Sequence, residues 1–318
     1  MKEASKVIIW GMDDEYVVSL HNIINLWVEL GKIQIVAYVD NEKYILNRYN
    51  GIPIFPEYKI KEIEYEYIVV VNKDYISEAM RLKKLYYVSE DKIICGNVFL
   101  SAFFDWERYI KVKQSHITLI TESCYGGLIY HRYGLQFTSP FINIRINQYD
   151  YLKILENFEY YIKQPLVLKH EWDSRDKFSV TTMRKGIDWG FCGFPVFFLG
   201  DVEVNAVHAY DVNDFQNKWT ERKDRMNFEN LFAMMVIEND EIAERFSALQ
   251  FDHKLGFYYK DTGLKDILYL KEYDNHDVRY KYGYHFRKYI HNIMFAQDAL
   301  NTIDVLKMLN CEDDYYVL

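Results

Sequence analysis

No apolar run in the 318-residue sequence approaches the roughly 18 residues that a membrane-spanning helix needs, so direct membrane insertion is not expected. The opening residues, MKEASKVIIWGMDDEYVV, hold only a short apolar stretch before Gly11 and turn acidic at once. That excludes a secretory signal and makes the cytoplasm the expected compartment. CxxC spacing is absent. Cys95, Cys124, Cys192 and Cys311 are scattered, which argues against a zinc site or a disulfide framework and predicts reduced thiols. Positive charge is also short, with 38 Lys and Arg against 47 Asp and Glu and a formal net charge of -9. Phosphate contacts demand a basic face, so nucleic acid is not an expected partner. No internal repeat or low-complexity tract stands out.

What is present is ordinary for a folded chain: 50% hydrophobic and 27% charged residues exclude wholesale disorder. At about 150 residues per domain, the length fits two domains. Tyr is abundant, at 29 residues, but the chain is also rich in Ile, Lys and Asn, as an AT-rich coding sequence would make it. Tyr content alone therefore does not mark a carbohydrate platform.

From the amino terminus, Lys6 to Trp10 reads as a strand ending at Gly11. Asp13 and Asp14 then cap a helix that buries Leu20, Ile23, Ile24 and Trp27 and stops at Gly31. IQIVAYVD, ending in Asp40, completes a βαβ unit. A turn at Asn50 to Pro53, a strand at Tyr67 to Val71, a helix from Asp74 to Tyr86 and a strand at Lys92 to Cys95 extend it. The expectation is a Rossmann-like parallel-sheet domain over 1–112, followed by a second α/β domain over 113–318. The dinucleotide fingerprint is incomplete, because WGMDDEY keeps Gly11 but sets Asp13 and Asp14 where a pyrophosphate would lie. NAD binding is not expected, and no other cofactor is indicated. Val98 to Lys113, with Phe99, Phe103, Phe104 and Trp106, reads as an aromatic connector that packs the two domains together.

The second domain opens with ITLITESCYGGLIYHRYGLQFTSP, Ile117 to Pro140: a buried strand, a tight Cys-Tyr-Gly-Gly turn and a short helix. Gly126 and Gly127 would let backbone N–H groups approach an anion or a carbonyl. FINIRI follows as a strand. Tyr151, Ile154, Leu155, Phe158, Tyr161 and Ile162 keep helical spacing up to Pro165. FPVFFLGDVEVNAVHAY reads as a strand, a turn and a strand carrying His208. In the next helix Lys218, Arg222 and Arg225 share a face beside Trp219, with Asn227 and Asn230 beyond. LFAMMVI, KLGFYYK and DILYL are further strands, and a helix from about His285 to Leu309 closes the chain. His170, Glu171 and Asp173, and likewise Asp274, His276 and Asp277, read as solvated loops, so no metal site is expected.

Three blocks of this second domain, ITESCYGGLIYHRYGLQFTSP, DYLKILENFEYYIKQPL and HAYDVNDFQNKWTERKDRMNFENLF, resemble a bacterial family of exopolysaccharide biosynthesis proteins, over residues 115–260. The matching positions in the first block are Cys124, Tyr125, Gly126, Gly127, Ile129, Tyr130, Ser139 and Pro140. In the third they are His208, Trp219, Arg222, Arg225, Asn227 and Asn230, with the family's Tyr displaced to Tyr210. The resemblance implies a place in polysaccharide assembly, with other assembly proteins as possible partners, and leaves the reaction open.

Three functions are consistent with these residues. In the first, a sugar-modifying transferase takes a small-molecule sugar or sugar phosphate as a phosphorylated or nucleotide-activated donor. Arg222 and Arg225 would hold its phosphate, and Tyr125, Gly126, Gly127, Ser139, Trp219, Asn227 and Asn230 would complete the substrate site. In the second, Cys124 is the nucleophile of an acyl transferase or hydrolase with His131 or His208 as base, unless Cys124 only packs. In the third, the protein is a non-catalytic scaffold.

Overall fold

The computed structural model describes residues 3–12, 16–72, 74–101, 103–170, 194–209, 212–271 and 303–315. The chain is α/β and divides into two compact units. The first comprises Met1–Ser115, His131–Gln136 and Gln297–Leu318; the second comprises His116–Tyr130 and Phe137–Ala296.

In the first unit β1 (Ser5–Trp10), α1 (His21–Glu29) and β2 (Ile33–Val39) form the expected βαβ unit, with β1 and β2 parallel. It is extended by β3 (Arg48–Tyr49), β4 (Ile52–Phe55), β5 (Tyr67–Val70), α2 (Tyr75–Tyr86), β6 (Ile93–Cys95) and α3 (Trp106–Ser115). The six-stranded sheet has the order β3-β4-β2-β1-β5-β6 and is parallel apart from the β3–β4 hairpin. Asn50 and Gly51 turn that hairpin at φ 48° and 80°, the left-handed region that a two-residue β-turn requires. Alternate apolar residues of the central strands, among them Ile8, Trp10, Ala37, Val39, Ile68 and Val70, pack under Leu82 of α2 as one core. A wider π-helical turn, Tyr16–Leu20, precedes α1.

Asp40, at the end of β2, is consumed by the local turn. Its Oδ2 accepts from Met12 N at 2.9 Å, and its Oδ1 accepts from Glu42 N and Lys43 N at 2.8 Å each. Asp13 and Asp14 lie outside the described residues. Of the rings expected to form an interdomain connector, Phe99, Phe104 and Trp106 pack together with Tyr109 within this unit, while Phe103 is exposed: Phe99 lies 4.7 Å from Phe104 and 5.9 Å from Trp106, and Tyr109 lies 5.6 Å from Phe104, centroid to centroid. A short helix, Val305–Leu309, belongs to the same unit, and just beyond it Glu312 pairs with Arg108 of α3 at 2.9 Å. Of the rest of the expected closing helix, Ile303 and Asp304 are not helical, Asp304 being the N-cap of this short helix, and residues 285–302 lie outside the described residues.

The second unit contains β7 (Thr118–Thr121), α4 (Tyr125–Arg132), α5 (Gln148–Glu156), α6 (Phe158–Lys163), β8 (Leu166–His170), β9 (Val196–Leu199) and β10 (Val202–Asn205). After these come α7 (Val212–Lys223), β11 (Leu231–Val236), α8 (Asp240–Ser247), β12 (His253–Tyr258) and β13 (Ile267–Tyr269). The last residues of α4, from His131, are counted with the first unit. One sheet is parallel, in the order β13-β12-β11-β7; the other is antiparallel, in the order β10-β9-β8. Tyr151 of α5 ties the parallel sheet to the helical layer, its hydroxyl lying 2.7 Å from Ile120 O and 3.0 Å from Met234 O.

The strand expected to carry His208 ends at Asn205, the helix expected to carry Arg225 ends at Lys223, and two further expectations for this unit fail for local reasons. FINIRI is not a strand: Asn143 takes φ 59°, which interrupts an extended run, and Arg145 alone makes an antiparallel bridge, to Asn205. The helix expected up to Pro165 breaks at Asn157, whose φ of -134° and ψ of 48° are not helical; α5 ends there and α6 begins.

Candidate functional site

β7 is four fully buried residues, and the chain leaves it through Glu122, Ser123 and Cys124, all buried, before entering α4. Glu122 has no exposed surface. It accepts from the Tyr125 hydroxyl at 2.5 Å and from Val236 N at 3.1 Å, so one carboxylate joins the tails of β7 and β11 to the first residue of α4. The turn is closed by Thr121 Oγ1, which donates to Ser123 O at 2.8 Å. α4 begins with Leu128 N bonded to Cys124 O at 3.1 Å. The carboxyl ends of parallel strands, where such turns converge, are where open α/β sheets bind ligands.

The segment after Asn143 runs along this turn. Ile146 N donates to Glu122 O at 2.9 Å, and the Cys124 thiol donates to Ile144 O with Sγ 3.8 Å away. Between them, Arg145 exchanges both backbone hydrogen bonds with Asn205, at 2.8 and 2.9 Å. Asn205 Nδ2 adds a third bond to Arg145 O at 3.1 Å. The end of β10 is thereby brought beside the end of β7. Asn205 is 3% exposed, and its Oδ1 has no hydrogen-bond partner among the described residues. Two residues earlier, the buried Glu203 pairs with Lys169 at 3.1 Å. Burial pushes the Cys124 thiol up to about 12, the Arg145 charge pulling it back and Glu122 pushing it further. At neutral pH it is a protonated thiol.

The expected site residues fall into two groups at opposite ends of the sheet. Cys124, Tyr125, Gly126 and Gly127 are at the carboxyl end of β7. A Cβ on Gly126 would stand 2.8 Å from Thr121 Cγ2 and Oγ1, and one on Gly127 3.0 Å from Ile142 Cγ2, so both glycines let α4 close onto its surroundings. His208 is exposed and follows β10 on the side of Asn205. His131 is exposed and falls in the part of the chain counted with the first unit.

Asn227 and Asn230, by contrast, sit at the amino end of β7. Asn227 N donates to Thr118 Oγ1 and Thr118 N donates to Asn230 O, both at 2.9 Å. At about 3.3 Å of rise per residue, the strand sets about 10 Å between Thr118 and Thr121 alone. Arg222 is half-buried over the Phe137 ring at 5.2 Å, and burial lowers its pKa. Arg225 is exposed, its Nε bonded to Glu221 O at 3.0 Å. Trp219 is core, 5.4 Å from the Phe141 ring. Ser139 is fully buried, its Oγ accepting from Phe141 N at 3.2 Å in a local turn. The arginine-bearing end of α7 and the Cys124 turn are therefore not one pocket.

A family model described as Domain of unknown function (DUF1919) matches residues 95–310, which takes in all of these positions. The chain belongs to the DUF1919 family. A second model, described as C2185-like, N-terminal, matches residues 3–94. An uncharacterized protein of Haemophilus influenzae is 29% identical over 169 residues, covering 52% of this chain and 72% of that protein. These matches correct the resemblance to exopolysaccharide biosynthesis proteins: the family is one of unknown function, its matched relative is uncharacterized, and neither description carries a role in polysaccharide assembly.

Within the DUF1919 region, sequence reasoning missed Glu122, Arg145 and Asn205. The available signal was a charged or amide residue set into an otherwise apolar run, as in TLITE, INIRI and VEVNA. His170, Glu171, Asp173, Tyr210, Asp274, His276 and Asp277 lie at or outside the limits of the described residues. Among the described residues, no cluster of three or more His, Cys, Asp or Glu could hold a metal ion, and no helix is long and apolar enough to cross a membrane.

Proposed function

We propose that the second unit binds a phosphorylated or nucleotide-activated sugar at the carboxyl end of β7, and that its reaction is transfer from that donor. Arg145 contributes the positive charge that meets the phosphate, and Asn205 Oδ1 accepts from a ligand hydroxyl. The observation that carries this reading is the buried Oδ1 of Asn205, an acceptor without a donor among the described residues, held against the Arg145 backbone. A buried polar atom left unsatisfied costs about 1–3 kcal/mol, a cost that a ligand hydroxyl removes. The amino end of α4 adds backbone N–H groups on the same side, favourable to an anion. Cys124 is a neighbour of the ligand in this reading, because a thiol held near 12 is not a nucleophile at neutral pH.

The test is a thermal-shift panel of nucleotide sugars, sugar phosphates and acyl-CoA. A ligand at 100 times its dissociation constant adds about 2.7 kcal/mol of stability. Stabilisation by a nucleotide sugar or sugar phosphate that is lost in Asn205→Ala and in Arg145→Gln is the expected result. Stabilisation by acyl-CoA alone, or a sugar-ligand response that both variants retain, overturns the proposal.

A further inference from the structure

At the opposite end of the parallel sheet from β7's carboxyl turn lies a cavity of about 690 Å³, within the size range of small-molecule sites. Three segments wall it: the junction of α5 and α6, the loop before β11, and the loop between α8 and β12. Its lining combines two features. Four aromatic rings face it, those of Phe158, Tyr160, Phe228 and Phe251. Phe158 and Phe251 pack edge to face at 5.8 Å and form a wall, whereas Tyr160 and Phe228 are each 54% exposed. Four carboxylates also line it, and no Lys or Arg does. Glu156 is balanced by Arg245 at 2.8 Å and Glu159 by Lys163 at 3.4 Å. Glu229 and Asp252 have no ion pair among the described residues.

We propose that this cavity is a binding site for a small organic cation, an amine carried on an alkyl chain. Accessible ring faces attract an ammonium group through their quadrupole and cover the alkyl chain by apolar contact. Glu229 and Asp252 come from the two loops that lead into the paired strands β11 and β12, so two uncompensated negative charges border the cavity and suit a ligand with more than one positive centre. The same charge repels phosphates, so this site does not compete with the anion site at β7. The inference is independent of the proposed function, since no residue is shared.

Spermidine is the probe. Isothermal titration of the full chain, with ionic strength held constant by sodium chloride, should show saturable binding. Glu229→Gln combined with Asp252→Asn should weaken it at least tenfold, and Phe228→Ala at least threefold. All three positions are exposed, so the melting temperature of each variant without ligand should match the parent and keep a folding defect from imitating the result. Absence of saturable binding overturns the proposal, as does binding that these variants leave unchanged. Saturable binding of neutral maltotriose in place of spermidine, lost in the same variants, would show that the rings and carboxylates serve a sugar and would equally overturn it.

Discussion

The Cys124 thiol is turned to the carbonyl of Ile144, with Sγ 3.8 Å from the oxygen, in surroundings that leave only 9% of the residue exposed. Burial opposes ionisation, and its pKa rises from 9.0 to about 12 in consequence. Alkylation by iodoacetamide at pH 7.5, followed site by site by mass spectrometry, should therefore modify the exposed Cys311 and spare Cys124 until the chain is unfolded. Labelling of Cys124 in the native protein at the rate of Cys311 would restore it as a candidate nucleophile. The linkage has a sign as well. A thiol whose folded pKa is raised supports the fold below about pH 9, and that support is lost as pH rises toward 12 and the unfolded thiol ionises first.

Gly126 is the tightest point of the turn into α4. Its absent side chain would meet Thr121 Cγ2 and Oγ1 at 2.8 Å, and Thr121 is not free to rotate away because Oγ1 already donates to Ser123 O. Gly126→Ala should destabilise the second unit by about 1–3 kcal/mol, the usual cost of overpacking. Urea denaturation followed by tryptophan fluorescence measures it, and an unchanged midpoint would show that the turn relaxes without cost.

Much of the fold is legible in the residues because it depends on local patterns. The apolar runs LFAMMV and ITLIT, bounded by polar turns, mark strands buried on both faces, and Asp74 caps its helix through a bond to Ser77 N, whereas the helix Asp240–Ser247, capped by Asn239, goes unread between two strands. The candidate site is less legible because it is made by long-range pairing. Arg145 and Asn205 are 60 positions apart in sequence, and nothing near either announces the bridge. The α7 stripe shows the converse limit. Spacing of three and four residues correctly sets Arg222 and Trp219 on neighbouring faces of a helix, but it carries no information about which end of the sheet that helix end reaches. That is decided by the bonds of Asn227 and Asn230 to Thr118.

Lys113, on α3 of the first unit, is 7% exposed, and burial brings its pKa down to about 8 against the pull of Asp91, Glu90 and Cys95. For a base whose folded pKa lies below its unfolded value, protonation works against the fold. The penalty is complete below about pH 8 and disappears as pH rises toward 10.5, where the unfolded lysine also loses its proton. A difference of that size corresponds to about 3 kcal/mol. Lys113→Met keeps most of the length of the side chain, one atom short, without the charge. It should therefore stabilise the protein by as much as about 3 kcal/mol at pH 7 and by less than about 1 kcal/mol at pH 10. Comparing the variant with the parent at each pH cancels the other groups that titrate in this window. A variant less stable than the parent at pH 7, or an advantage that does not shrink by pH 10, would mean that the buried ammonium is held by its acidic neighbours strongly enough to offset its desolvation.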